Sequence, residues 1–254
     1  MAISLGSISK TQRAVQPPRI VVHGEHGVGK TTLGATANRP VFLPLEDGLT
    51  GLEVDAFPQL TSWDEVKAAI TALTTEEHKF GTAVIDSLDW LEPLIWDAVS
   101  KAHGKSSIEE FGYGKGYVEA VSYWREFLDA CDKLRASGMA VILIAHSEIK
   151  RFDSPDTDAY DRYQIKLHRM ASAVVQEWAD VIGFAQFETT VKKQDTGFGS
   201  VKTRGMSTGR RLLHVVEKPA FVAKNRYSLP DSIPLSWDAL VNAIQNPTTS
   251  NQAA

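Results

Sequence analysis

Among 254 residues there is one cysteine, Cys131, which excludes a disulfide framework within the chain and suits a reducing compartment. Long apolar runs are also missing. The most apolar stretch, Met139 to Ala145, is seven residues long, far short of the roughly 20 that a membrane helix needs. Met1 to Gln16 contains no apolar segment of the export-signal type, so a soluble, cytoplasmic protein is expected. His23, His26 and His78 lack the spacing of metal ligands, and no internal repeat is visible. Net charge is small, at −4, but unevenly spread: −7 over residues 1–149, +5 over 150–226 and −2 over the remainder. An anionic partner should therefore meet the 150–226 segment.

What is present begins with Gly24-Glu25-His26-Gly27-Val28-Gly29-Lys30-Thr31-Thr32, which satisfies G-x-x-x-x-G-K-[ST] in full. Ile20-Val21-Val22 precedes it as a short strand, and Thr32 to Ala37 reads as the start of a helix. Strand, loop and helix in that order aim unpaired backbone N–H groups at an anion. The glycines let the backbone approach a triphosphate, Lys30 reaches the β and γ phosphates, and the Thr31 hydroxyl is a candidate ligand for Mg²⁺.

The chain then alternates strands and helices. Residues 1–17 read as a polar tether, with a weak edge strand around Ile3 to Ile8. Val41 to Leu45 is a second strand, running into Glu46-Asp47-Gly48. Ser62-Trp63-Asp64-Glu65 is a capping box for a helix through about Leu73, and Thr82 to Asp86 is a third strand. Leu88 to Ala102 is a helix, His103 to Gly116 a glycine-bearing loop, and Tyr117 to Ala136 a long helix. Met139 to Ala145 has the unbroken apolarity of a central parallel strand. Lys150 to Tyr163, rich in Asp and Pro, reads as a long loop. A helix over 168–179 and a strand over 181–187 follow, then a polar hairpin over 188–212 carrying Lys192, Lys193, Lys202, Arg204, Arg210 and Arg211. Short strands at 213–216 and 220–223 precede Lys224-Asn225-Arg226, and a last helix over 236–244 leads to a tail of disordered composition from Asn246. The expected fold is α/β, a mostly parallel sheet flanked by helices with a C-terminal β-hairpin region. Its core should span 18–235, and residues 236–254 should be an added helix and tail.

Three strands end in polar groups, Glu46, Asp86 and His146, at the edge where such a sheet binds its ligand. Asp86, at the end of an apolar run, suits an acid that holds Mg²⁺ opposite Thr31, or else a helix N-cap. Ser87 follows it, so a second acid that could activate water is absent there. Glu46 is the candidate base, placed to order a water against the γ-phosphate, with a solvated turn glutamate as the alternative. His146 is a candidate γ-phosphate contact, or a satisfied strand-end histidine.

Taken in order, Glu46, Asp86-Ser87, Ala145-His146 with its basic-edged loop, and Lys224-Asn225-Arg226 resemble the RecA/RadA recombinase ATPase core. More narrowly, Phe111-Gly112-Tyr113-Gly114-Lys115-Gly116-Tyr117 and Lys224-Asn225-Arg226-Tyr227 resemble the corresponding segments of short phage-encoded RecA-like single-strand annealing proteins. The resemblance implies an ATP- and Mg²⁺-dependent ATPase in the P-loop NTPase superfamily, with Glu46 as the hydrolytic glutamate. It also implies DNA-facing loops at 104–117 and 148–166, and Lys224 and Arg226 reaching the nucleotide of a neighbouring subunit. The partners implied are single-stranded DNA, further copies of the chain in a ring or filament, and a single-strand binding protein, all in the host cytoplasm if a phage encodes it. His146 departs from the glutamine usual at this position, and the extra terminal domains of full recombinases are missing.

Apart from the resemblance, single-strand binding needs cations for phosphates and rings for bases. Tyr113, Lys115 and Tyr117 in one segment, with Lys150, Arg151, Arg162, Lys166 and Arg169 around the other, supply both. Two other readings stay open on the sequence. One is a P-loop kinase of a nucleotide or other small molecule, although the long loop has only Arg151 and Arg162 to serve as a lid. The other is a DNA-binding module with ATP as a structural ligand.

Overall fold

The computed structural model describes residues 16–155, 158–195 and 201–247. Strand β1 (Arg19–Gly24) leads to α1 (Lys30–Ala35), β2 (Pro40–Pro44), β3 (Asp55–Ala56), α2 (Trp63–Thr75), β4 (Thr82–Asp86) and α3 (Leu88–Ala102). A 3-10 turn at Ile108–Phe111 precedes α4 (Lys115–Ala136), β5 (Ala140–Phe152), β6 (Tyr160–Ile165) and α5 (Arg169–Trp178). The chain continues through β7 (Val181–Asp195), β8 (Val201–His214), β9 (Lys224–Asn225), β10 (Ser232–Pro234) and α6 (Trp237–Gln245). Strands join in the order β10-β8-β7-β1-β5-β4-β2-β3, with β6 attached to β5 and β9 to β7. From β7 to β3 the strands are parallel, while β8 and β10 form an antiparallel margin. Among the described residues no helix is long and apolar enough to cross a membrane.

The two faces of this sheet follow from the period-2 alternation of side chains along each strand. Val21, Ile85, Leu143 and Ala145 point to one side, where Leu91, Ile95, Trp124 and Phe127 of α3 and α4 cover them. Their neighbours Val22, Val84 and Ile142 point to the other, against Leu33 of α1 and Trp237 and Leu240 of α6. Both faces are covered, which is why the central strands read as continuous apolar runs. Each fully buried aliphatic side chain contributes about 1.5–3 kcal/mol relative to exposure. Helix starts are set by polar caps: Ser62 Oγ accepts from Glu65 N at 3.3 Å and Ser236 Oγ from Ala239 N at 3.2 Å.

Several sequence expectations need correction. Lys150 to Tyr163 is not one long loop. Strand β5 runs on to Phe152, and β6 pairs back along it from Ser147↔Ile165 to Phe152↔Tyr160. Asp153, Pro155 and Asp158 belong to the connection, whereas Asp161 lies within β6 opposite Arg151. Helix α4 starts at Lys115, so Lys115 and Tyr117 lie in its first turn, not in a loop. The glycines around its start have local work. Gly112 and Gly114 adopt φ of 67° and 71°, and a Cβ on Gly116 would stand 2.5 Å from the Ile108 carbonyl oxygen. Residues 220–223 are not a strand; Phe221 makes only isolated bridges, to Tyr163 and Lys218, while its ring stacks on Phe184. The edge strand expected at Ile3 to Ile8 lies outside the described residues.

Candidate active site

Strand register assembles the site. β1 pairs with β5 so that Gly24 stands beside His146, and β4 pairs with β2 so that Asp86 stands beside Pro44, two residues before Glu46. The phosphate loop, Glu46, Asp86 and His146 therefore share one edge of the parallel sheet, as the sequence predicts. Gly24 has to be glycine because a Cβ there would meet the Ala185 carbonyl oxygen of β7 at 2.4 Å. Gly27 and Gly29 adopt φ of 74° and 103°, a left-handed backbone that side chains resist. Gly34 lets α1 settle on the sheet, since a Cβ would stand 2.8 Å from Val84. Lys30 is buried and donates to the carbonyl oxygens of Gly24 and Glu25 at 3.1 and 2.9 Å. Burial pulls its pKa down, against the opposing charges of Asp86, Asp89 and Glu46. Val28 is buried, and the side chain of Glu25 accepts a hydrogen bond from Tyr163 Oη at 3.2 Å.

Thr31 Oγ1 donates to Asp86 Oδ2 at 2.8 Å. Burial, first, and the Glu46 charge push the Asp86 carboxyl up to about 6, against the Thr31 hydrogen bond and the cation of Lys30. A hydroxyl and a carboxylate are the hard oxygen donors that Mg²⁺ takes, so the pair fits that ion. Among the described residues no group of three or more His, Cys, Asp or Glu could hold a metal. Glu46 is half-buried, and its charge acts on Asp86, Lys30 and His26.

The structure adds Asp89, which the sequence reading missed. Its carboxylate accepts from His146 N at 3.0 Å and from His146 Nδ1 at 2.9 Å. Burial works against its ionisation, but the hydrogen bonds and charge of His146 prevail and hold it at about 2. An ionised carboxylate only accepts, so Nδ1 carries the proton and Nε2 is left for other partners. His26 of the phosphate loop stacks on His146, ring centroids 3.9 Å apart; the charge of His146, some burial and Lys30 lower its pKa.

The AAA domain family matches this chain over residues 16–227, a span that includes every residue of the site just described. The chain belongs to the AAA domain family. It thereby belongs among the P-loop NTPases, as the phosphate loop indicates. It is also similar to the SPbeta prophage-derived uncharacterized protein YorG of Bacillus subtilis (strain 168), at 26% identity over 148 residues, 55% of this chain and 44% of that protein. The chain thus spans less than half the length of this curated relative.

In this AAA domain the segments singled out as candidate DNA contacts meet beside the nucleotide edge. Tyr117 stacks on His168 at 4.1 Å between centroids and donates to Glu109. Tyr113 is fully exposed with φ 50°, and Lys115, Arg151 and Arg169 are exposed. Lys150 pairs with Glu148 at 2.7 Å, and Lys166 lies 3.7 Å from Asp89. Arg162 is a correction: it is 8% exposed, pairs with Glu217, donates to the Phe221 carbonyl at 3.1 Å and lies over the Phe152 ring. These bonds, made by Nη2, tie β6 to the 217–221 segment and hold the side chain away from solvent. Side chains of Lys192, Lys193, Lys202 and Arg204 lie outside the described residues.

Lys224 and Arg226 sit at the opposite sheet edge. Lys224 pairs with Ile182 near the start of β7, beside Val21 of β1, three residues and about 10 Å short of Gly24 at some 3.3 Å per residue. Lys224 Nζ donates to the Gln176 and Glu177 carbonyls ending α5, at 2.6 and 3.0 Å. Arg226 joins Arg19 and Arg135 around Asp180, at 3.2, 2.9 and 3.3 Å. Neither reaches the phosphate loop of its own chain.

Helix α3 links these regions. Asp89 holds His146, Glu92 accepts from His168 N at 3.0 Å, and Trp96 packs edge-on to Tyr117 at 5.4 Å. Positions three and seven apart form one stripe of a helix. Glu92 is 6% exposed, and burial raises its carboxyl to about 7, with Glu148 and Asp89 adding to the shift and His168 N and Lys150 opposing it. Below about pH 4.5 folded and unfolded chains both hold this proton. As pH rises towards 7 the unfolded chain releases it first, so stability falls, by up to about 3 kcal/mol once the penalty is complete. Glu92→Gln keeps an acceptor for His168 and removes the ionisation. Its stability relative to the parent, from urea midpoints, should be more favourable at pH 8 than at pH 5, and an equal difference at both would refute the assignment.

Proposed function

We propose that this protein is a RecA-like ATPase that binds ATP·Mg²⁺, assembles into oligomers and promotes annealing of single-stranded DNA in phage recombination. The observation that carries the reading is the α3 stripe. It joins His146 at the phosphate-loop edge to His168 and Tyr117, whose chain neighbours Lys115 and Arg169 are exposed; Tyr113, also exposed, precedes α4, and the exposed Arg151 lies farther out on the β5–β6 hairpin. In this reading Lys30 and the loop amides grip the phosphates, and Thr31 and Asp86 would hold Mg²⁺, which would supply positive charge against the phosphates. Glu46 orders and deprotonates the attacking water. His146, oriented by Asp89, offers Nε2 to the γ-phosphate and passes its loss to the DNA-facing segments. Lys224 and Arg226 serve the nucleotide of a neighbouring subunit.

ATP turnover measured with and without single-stranded DNA tests the whole reading: stimulation supports it, and turnover indifferent to saturating DNA refutes the coupling. DNA binding should be tighter with ATP and should weaken as salt rises. Arg151→Ala should lower affinity for any sequence and flatten the salt slope. Tyr113→Ala should cost roughly 1–3 kcal/mol if a base stacks on its ring. A filter-binding series with no salt-dependent retention at any nucleotide state would leave a nucleotide enzyme without a DNA partner.

A further inference from the structure

Arg211 reads in the sequence as one more cation of a basic hairpin. Strand pairing gives it a specific position. It stands opposite Phe187 in the β7–β8 ladder, with its guanidinium carbon 5.8 Å from the Phe187 ring centroid. That packing aims the fork at the phosphate loop, where a Cβ on Gly29 would lie only 2.6 Å from Arg211 Nη1. Gly29 immediately precedes Lys30. Its neighbour Arg210 is committed to Glu188 at 2.7 Å, whereas Arg211 has no carboxylate partner among the described residues. Arg211 is also exposed, so its donors can be reached from solvent.

Sheet order decides which part of a ligand this cation would meet. Asp86 ends β4 and Glu46 follows β2, on one side of β1, and His146 lies on β5 between β1 and β4, while β7 and β8 lie on the other side. Metal and terminal-phosphate chemistry belongs to the carboxylate side. The β7–β8 side is left for the part of a nucleotide that does not change on hydrolysis. Val28, Phe187 and Leu235 share one apolar cluster there. A planar fork of donors suits a phosphate better than a single ammonium does.

Resting on the nucleotide-binding reading above, we propose that Arg211 is a nucleotide-binding residue acting within its own chain, donating to a phosphate that nucleoside di- and triphosphates share. It would be a second cation at the loop beside Lys30, delivered from the antiparallel margin of the sheet.

Calorimetric titration of the full chain with ATP·Mg²⁺ and with ADP·Mg²⁺ tests it. Arg211→Ala should weaken both nucleotides about 10- to 100-fold, the usual range for a charge-assisted bond. Arg210→Ala, which removes the same charge one residue away, should stay within about twofold of the parent. Arg211→Lys, which keeps the stem against Phe187, should fall between and carries the test if the alanine variant fails to fold. Parental affinity in both folded Arg211 variants, with the parent binding normally, overturns the Arg211 assignment alone. Weakening confined to ATP overturns the shared-phosphate placement. A parent chain that binds neither nucleotide overturns the phosphate-loop reading and this inference with it.

Discussion

Lys30→Ala is expected to weaken ATP·Mg²⁺ binding by about 100-fold or more, the loss of roughly 3 kcal/mol of charge-assisted bonding to phosphate, and to take turnover with it. The fold should survive. Lys30 is 6% exposed and its Nζ bonds only carbonyl oxygens of its own loop, so removing it also removes a desolvated cation. It also takes from Asp86 one of the two cations acting on it, leaving His146, and the two effects oppose each other. A net stability change within about 1 kcal/mol is expected by thermal denaturation without nucleotide. Undiminished affinity in the folded variant would end the assignment of this loop as the nucleotide site. The same variant tests the proposed contribution from a neighbouring subunit. Lys30→Ala chains mixed with Arg226→Ala chains, each inactive alone, should recover part of the parental turnover, because an intact loop on one then faces an intact cation on the other. No recovery in a mixture shown to co-assemble would leave Arg226 with its Asp180 bond as its whole role.

Glu46→Gln should separate binding from chemistry. The amide keeps the size of the side chain and removes its basicity, so turnover should fall by about 10²- to 10⁴-fold, the usual range for a general base, while ATP·Mg²⁺ affinity is kept or rises. Affinity has reason to rise, since the Glu46 charge is one of the two influences that push Asp86 up to about 6. Removing that charge makes the metal-binding form of Asp86 easier to reach. Single-turnover hydrolysis with bound ATP gives the chemical step directly. A parental rate there would make Glu46 a solvated turn residue beside Asp47-Gly48.

Parts of this site were legible because they lie on short-range patterns. The loop from Gly24 to Thr32 is a contiguous motif, and Asp86 ends an apolar run whose burial the alternation predicts. Asp89 was not legible. It sits in the first turn of α3 and its partner His146 is 57 residues away, so only the pairing of β4 with β5 brings them together. Arg211 was seen as charge and not as position, because its aim depends on the β7–β8 register and on the Phe187 ring. The hairpin at 147–165 was missed for the opposite reason. A turn rich in Asp and Pro dominated the composition, and Arg162 was read as a surface cation although β-sheet alternation turns it inward onto Glu217 and Phe221. RecA-like identity was read from the order of motifs; the AAA domain match and the parallel sheet bear out the broader P-loop class.

The α3 stripe carries a thermodynamic obligation. In the proposed reading, one helix touches the nucleotide edge through Asp89 and the DNA-facing segments through Glu92 and Trp96. Binding at two linked sites is reciprocal: whatever factor ATP adds to the grip on DNA, DNA must add to the grip on ATP. A tenfold factor is about 1.4 kcal/mol, which is the size of a single hydrogen bond within a protein. In that reading, a His146–Asp89 bond made in one nucleotide state and lost in the other would account for a tenfold linkage, and Asp89→Asn should reduce it.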